Sequence, residues 1–142
     1  MEKSAGIILF RIRREKREFL IIKYHLDKEY WGLVKGHIEL GEKEEETILR
    51  ETEEETQLKK IRVISGFNGK SNYFYKRDGK ISYKEVVWYL GEVLDEEDGT
   101  VSHEHEELKW VSYDEAVKLL KYKKDKGVLI KAEERLNLEV TS

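Results

Sequence analysis

Apolar and polar positions fall into segments of two periods along this chain. Residues 4–12, Ser-Ala-Gly-Ile-Ile-Leu-Phe-Arg-Ile, are apolar and β-branched, which predicts a strand. Residues 18–25 predict a second strand, with the charged Arg14–Arg17 stretch as the turn between them. Leu26 to Gly41, with Trp31 and three glycines, reads as a loop. Residues 43–57 hold no Gly or Pro and are rich in Glu, Lys, Arg and Leu, which predicts a helix. Acidic residues in its first turn suit the helix dipole, and Gly41 ahead of it fits a helix start. Residues 60–66, 71–77 and 83–92 predict further strands, the last two joined by a turn at Arg77-Asp78-Gly79-Lys80. Residues 107–111 predict a short strand, and 113–121 and 124–136 two helices. The expected class is α/β, mixed α+β in character, with a mixed sheet sandwiched between helices.

The length of 142 residues points to one domain spanning 1–142, able to bury a core without disulfides. Charged residues reach 40%, yet 27 basic and 30 acidic side chains nearly cancel, so there is no general drive towards nucleic acid or an anionic membrane. Local clusters therefore matter more than the total. The absence of cysteine excludes thiol catalysis and thiolate metal sites, and is compatible with a cytoplasmic protein. The first residues lack the basic and long apolar regions of a signal peptide. No apolar run approaches the ~20 residues of a membrane span. No membrane association and no stable nucleic-acid partner are expected; oligomeric state is not legible.

Eight glutamates lie between positions 42 and 55. In a chain this rich in Glu, a solvated helix face is the plain reading. Spacing argues otherwise for three of them. Glu51, Glu54 and Glu55 stand at i, i+3 and i+4, which converge on one helix face. Like charges there repel by a few tenths of a kcal/mol per pair. Arg50 is the nearest basic residue; a hard divalent cation would relieve them better. Magnesium takes oxygen ligands and bridges carboxylates to phosphates. Zinc prefers His or Cys, which this helix lacks. Upstream, Gly36 allows a backbone conformation that other residues reach only at a cost, and Lys35 is suited to meet a phosphate as a point charge.

Gly36, five residues, Glu42, seven residues, Arg50-Glu51, then Glu54-Glu55 and Leu58 resembles the Nudix box: seven of nine defined positions match. Thr52 stands where an aliphatic residue is usual and Gln57 where glycine is usual. The resemblance implies an α/β/α sandwich whose box, residues 36–58, forms loop–helix–loop. It implies Mg²⁺, with Mn²⁺ as a substitute, on Glu51, Glu54 and Glu55, supported by Arg50 and Glu42. The substrate would be a nucleoside diphosphate linked to another group. At Gln57 a helix-ending left-handed turn would be costlier than with glycine.

Outside the box the sequence is similar to the asymmetric diadenosine tetraphosphate hydrolases from about Ala5 to the C-terminal helices. The stretches are Ala5 to Phe10; Trp31-Gly32-Leu33-Val34-Lys35-Gly36-His37, with Val34 in place of a proline; Gly66-Phe67, Asn72-Tyr73 and Lys84; Ser102-His103-Glu104-His105-Glu106 with Trp110; and Tyr122. Stacking on an aromatic ring is worth roughly 1–3 kcal/mol per base, so Tyr73 and Tyr122 are candidates to clamp one adenine. Lys35, Lys84 and His37 are the candidate polyphosphate cations. Equally, any tyrosine among eight can be a sheet or core residue, and Lys84 can simply face solvent. Trp88 and Trp110 are assigned to packing and His25 to the surface. In the His103-Glu104-His105-Glu106 stretch, a His-x-His zinc reading lacks a third N or S ligand. The resemblance favours Glu104 as a further metal ligand or general base, with Glu106 as the fallback.

The expected chemistry is water attack on one phosphorus in line. Metal on the box glutamates neutralises phosphate charge and acidifies a water, and Glu104 or a box glutamate such as Glu54 takes its proton. Diadenosine tetraphosphate would give ATP and AMP. Three other readings stand beside this one. The same chemistry would serve RNA 5′ ends, ADP-ribose or a damaged nucleotide. A non-catalytic nucleotide-binding module would keep the fold alone. A structural protein would carry a merely solvated acidic helix.

Overall fold

The structure, a computed structural model, describes residues 2–25, 29–101 and 105–140. Eleven elements follow in chain order. They are β1 (Glu2–Arg13), β2 (Lys16–Tyr24), β3 (Tyr30–Gly32), β4 (Val34–His37), α1 (Glu44–Thr56), β5 (Ile61–Val63), β6 (Gly69–Arg77), β7 (Lys80–Val93), β8 (His105–Val111), α2 (Tyr113–Leu119) and α3 (Lys123–Val140).

All eight strands join one mixed sheet whose two longest members, β1 and β7, run parallel side by side from Glu2↔Lys84 to Phe10↔Glu92. Each of these strands changes partner along its length. β1 pairs with β4 over Ser4–Ile7 and with β2 over Phe10–Arg13. β7 pairs with β6 over Lys80–Trp88 and with β5 over Gly91–Val93. The sheet therefore forks around a two-strand stem, and the branch formed by β4, β1, β7 and β6 carries the candidate site.

Successive side chains on a strand point to opposite faces. In β1, Ile8 and Phe10 enter the core beneath α2 and α3, built with Phe19, Ile21, Trp88, Leu90, Ala116, Leu129, Ala132 and Leu136. Ala5, Ile7 and Leu9 enter the opposite core with Leu20, Ile22, Val34, Ile48 from α1, and Leu58. Both faces are covered, which is why 4–12 reads as a continuous apolar run rather than an alternation. Trp88 is buried as expected and its indole N–H donates to the Ser71 hydroxyl at 3.1 Å. Trp110 lies under the Arg11 guanidinium at 4.2 Å and is only part-buried.

The strand predicted over 60–66 shortens to β5, and one sequence expectation fails outright. The stretch 26–41 is not all loop, since β3 pairs with β2 and β4 with β1. Three- and four-residue strands are too short to carry a period, and their glycines mimic loop composition. Gly36 is correspondingly not in a left-handed conformation; it lies in β4 opposite Ala5. Both hairpin turns form where expected, with positive φ at Arg14 and Glu15 and at Asp78 and Gly79.

α1 starts with the Lys43 amide donating to Glu46 Oε1 at 2.9 Å, and Glu44, Glu45 and Glu46 fill its first turn. Thr52 is wholly buried, and its hydroxyl is satisfied by the Ile48 carbonyl at 2.6 Å. The helix ends on Gln57 at φ 63° and ψ 11°, its amide bonded to the Glu53 carbonyl at 2.8 Å. The left-handed turn thus forms despite the missing glycine. A side chain there costs of order 1 kcal/mol, and Gln57 itself is exposed. Gln57→Gly is therefore expected to raise Tm by about 2–4 °C in a calorimetric melt; an unchanged or lower Tm would show that the turn carries no such strain.

Candidate active site

From β4 the chain turns through residues 38–43 into α1, which brings Glu42 back against Arg50. The Arg50 guanidinium donates to both Glu42 oxygens, at 2.7 and 3.0 Å, in a bidentate pair. Glu42 also accepts from the Thr47 hydroxyl at 2.6 Å and the Glu39 amide at 3.1 Å. The Arg50 bond first, then that from Thr47, pulls the Glu42 pKa down to about 2. The remaining Arg50 donors reach Glu51 at 2.8 Å, Glu54 at 3.3 Å and the His37 carbonyl at 3.1 Å. One arginine thus ties β4, the turn and α1 together.

The three spaced glutamates occupy graded depths. Glu55 is buried, the Glu51 side chain is 14% exposed and that of Glu54 is 58% exposed. Burial raises the Glu51 pKa, Arg50 opposes the shift, and Glu51 lies within hydrogen-bonding reach of Glu55. Gly36 makes room for Glu51: a Cβ there would lie 2.1 Å from the Glu51 carboxyl carbon and 2.2 Å from its Oε1. What position 36 needs is space, not unusual φ. Among the described residues no three ligand side chains are already gathered for a metal ion, since Arg50 holds two of the carboxylates. The donor set is nonetheless all oxygen and partly exposed. It fits a hard divalent ion such as Mg²⁺.

The cationic half of the site lies on the other face of β4. Val34 and Gly36 point towards α1, so Leu33 and Lys35 point towards α3. Lys35 is opposite Gly6 on β1. Lys84 is in register with Glu2 on one side and Tyr73 on the other. The Lys35 ammonium sits 5.3 Å from the Tyr73 ring centroid and that of Lys124 4.5 Å from it. Burial, then the neighbouring Lys35, lowers the Lys84 pKa, with Glu2 opposing. Two ammonium groups held on β4 and β7, the strands on either side of β1, against their mutual repulsion make an anion-attracting surface. The His37 ring is exposed, 4.0 Å from Glu2. Tyr122, exposed ahead of α3, packs edge-on to Tyr30 at 5.0 Å.

The tertiary structure thus gathers Gly36, Glu42, Arg50, Glu51, Glu54 and Glu55 on one side of β4, and Lys35, Tyr73 and Lys84 on the other. Glu104 lies outside the described residues, as does His103. His105 and Glu106 lie on β8, which pairs with β2. His25 is exposed, as expected. Sequence reasoning did not find Thr47, Lys124 or Asp125. Thr47 holds Glu42 from one turn along α1. Asp125 is buried near Lys35 and Tyr73. A lone Asp in a Lys-rich helix start gives no pattern to read.

A carboxylate helix and a lysine surface on the two sides of one strand suit the chemistry of a hydrolase of phosphoanhydride bonds. Residues 2–132 match the NUDIX domain model, and the chain belongs to the Nudix family. It is 32% identical over 120 residues to a bis(5′-nucleosyl)-tetraphosphatase (asymmetrical) of Caenorhabditis elegans, covering 84% of this chain and 86% of that one. It is 33% identical over 136 residues to the protein of the same description from Sus scrofa, covering 89% and 90%. The fold superposes on the crystal structure of a C. elegans Ap4A hydrolase binary complex with a TM-score of 0.83, at 29% identity, over 96% of this chain and 98% of that one. Among the described residues, no helix is long and apolar enough to cross a membrane.

Proposed function

We propose that this Nudix hydrolase, acting as one catalytic unit over residues 1–142, cleaves diadenosine tetraphosphate asymmetrically into ATP and AMP. The carrying observation is the likeness to the asymmetrical tetraphosphatases over 84–89% of the chain. The gathering of Lys35, Lys84 and Tyr73 across β4 from the carboxylate helix supports it. Glu51, Glu54 and Glu55, with Glu104, would hold Mg²⁺, or Mn²⁺ in its place. Bound there, the ion would neutralise phosphate charge and acidify a water. Arg50 and Glu42 hold the glutamates in place. Glu54 or Glu104 accepts the proton of the attacking water. Lys35, His37 and Lys84 meet the polyphosphate, Gly36 leaves room for Glu51, and Tyr73 and Tyr122 stack against one adenine.

The test is to incubate the protein with diadenosine tetraphosphate, with and without Mg²⁺, and to separate the nucleotides by ion exchange. Equal ATP and AMP, only with metal, are expected. No cleavage by a folded, Mg²⁺-binding protein would rule out this substrate and direct the search to ADP-ribose and RNA 5′ ends.

A further inference from the structure

Asp125 stands in the first turn of α3 and is only 2% exposed. A buried carboxylate costs several kcal/mol unless it is paired and hydrogen-bonded. Here Oδ1 is buried without a hydrogen-bond partner, and so is the hydroxyl of Tyr73. These two groups face one another across the α3–β6 contact, close enough to influence each other's protonation. Lys35 is the cation that offsets the Asp125 charge, and Tyr30 and Tyr24 feel that charge from the neighbouring sheet positions. Lys124, the residue before Asp125 on α3, covers the Tyr73 ring.

The Tyr73 ring is thus approached by two ammonium groups, while its hydroxyl aims at a carboxyl. A base that stacks on Tyr73 must take the place of one ammonium group. A small tilt of the ring in that event would bring its hydroxyl into bonding distance of Asp125 and satisfy both orphaned groups. Lys35, released from the ring, stays near Asp125 on its β4 position, beside the path of the phosphates.

We propose that Asp125 is a positioning residue for nucleotide binding: its carboxylate sets the tilt of Tyr73 and steers Lys35, so that base platform and phosphate cation are aligned as one unit. The inference rests on the reading of Tyr73 and Lys35 as nucleotide contacts. It accounts for a charge that folding alone disfavours. Burial raises the Asp125 pKa. Because the folded pKa exceeds the unfolded one, the ionised group weakens the fold as pH rises through the folded value. A carboxyl kept at that cost is expected where function needs it.

The test is a double-mutant cycle of Asp125→Asn and Tyr73→Phe, with KM and kcat for diadenosine tetraphosphate, ATP affinity by calorimetry, and Tm at neutral pH. Asp125→Asn is expected to raise KM and weaken ATP binding about tenfold, leave kcat within about twofold, and not lower Tm. The double variant should match Asp125→Asn alone, because Tyr73→Phe removes a contact that Asp125→Asn has already lost. Unchanged KM and ATP affinity, multiplicative effects, or a lower Tm with equal loss of kcat and kcat/KM would overturn the inference. A chain that cleaves no dinucleoside tetraphosphate but loses ATP affinity through Asp125→Asn would sink the substrate reading and uphold this one. No nucleotide binding at all would overturn both.

Discussion

Glu54→Gln is expected to lower kcat by about 10²–10⁴-fold, the range for loss of a positioned general base, with Tm almost unchanged. The two halves of that expectation have separate physical origins. More than half of the Glu54 side chain is exposed, and its contact with Arg50 is long at 3.3 Å. An exposed pair of that kind contributes at most about 1 kcal/mol, and Arg50 keeps its bidentate grip on Glu42. The fold therefore does not need the Glu54 charge. On the proposed mechanism catalysis does, since glutamine preserves volume while removing both the anionic ligand and the proton acceptor. Steady-state kinetics with saturating Mg²⁺, beside a thermal melt, would separate the two. Near-full activity would show that Glu54 has neither role.

Gly36→Ala is the second large effect, and it also dissociates activity from stability. The new methyl would lie 2.1 Å from the Glu51 carboxyl carbon, far inside van der Waals contact. β4 is extended and Gly36 has no positive φ, so the backbone accepts alanine without strain. The yielding atoms are the end of a flexible side chain, which keeps the folding cost small. The carboxylate they belong to is displaced from its 2.8 Å bond to Arg50 and from its place beside Glu55. Misplacement of a catalytic group by about 1 Å can cost about 10²-fold in rate. We expect a loss of that order in kcat/KM and weaker Mg²⁺ affinity by calorimetry. A variant with wild-type metal affinity would mean that Glu51 does not need the space.

These two positions show how much of the site could be read in advance. Arg50, Glu51, Glu54 and Glu55 are close in sequence, and one helix converts their spacing directly into a shared face. The hydrophobic runs of β1, β2 and β7 were equally legible, because long strands buried on both faces leave a continuous signal. β3 and β4 were hidden in a stretch that reads as loop. Their order comes from the ladders with β2 and β1, not from any propensity of three or four residues.

Sequence by itself determined the long strands, the glutamate-bearing helix and the arginine that organises it. Tertiary structure alone decided the sides. The pleat of β4 sends Gly36 towards the carboxylates of α1 and Lys35 towards Tyr73 and α3, so adjacent residues serve opposite halves of the site. Register across β4, β1, β7 and β6 then brings Lys35, Lys84 and Tyr73 together from positions scattered along the chain. Asp125 became visible only when α3 docked over them. Side-chain direction in an edge strand and the burial of a single charge depend on which partners the sheet and helix supply, and no local pattern in the chain encodes that choice.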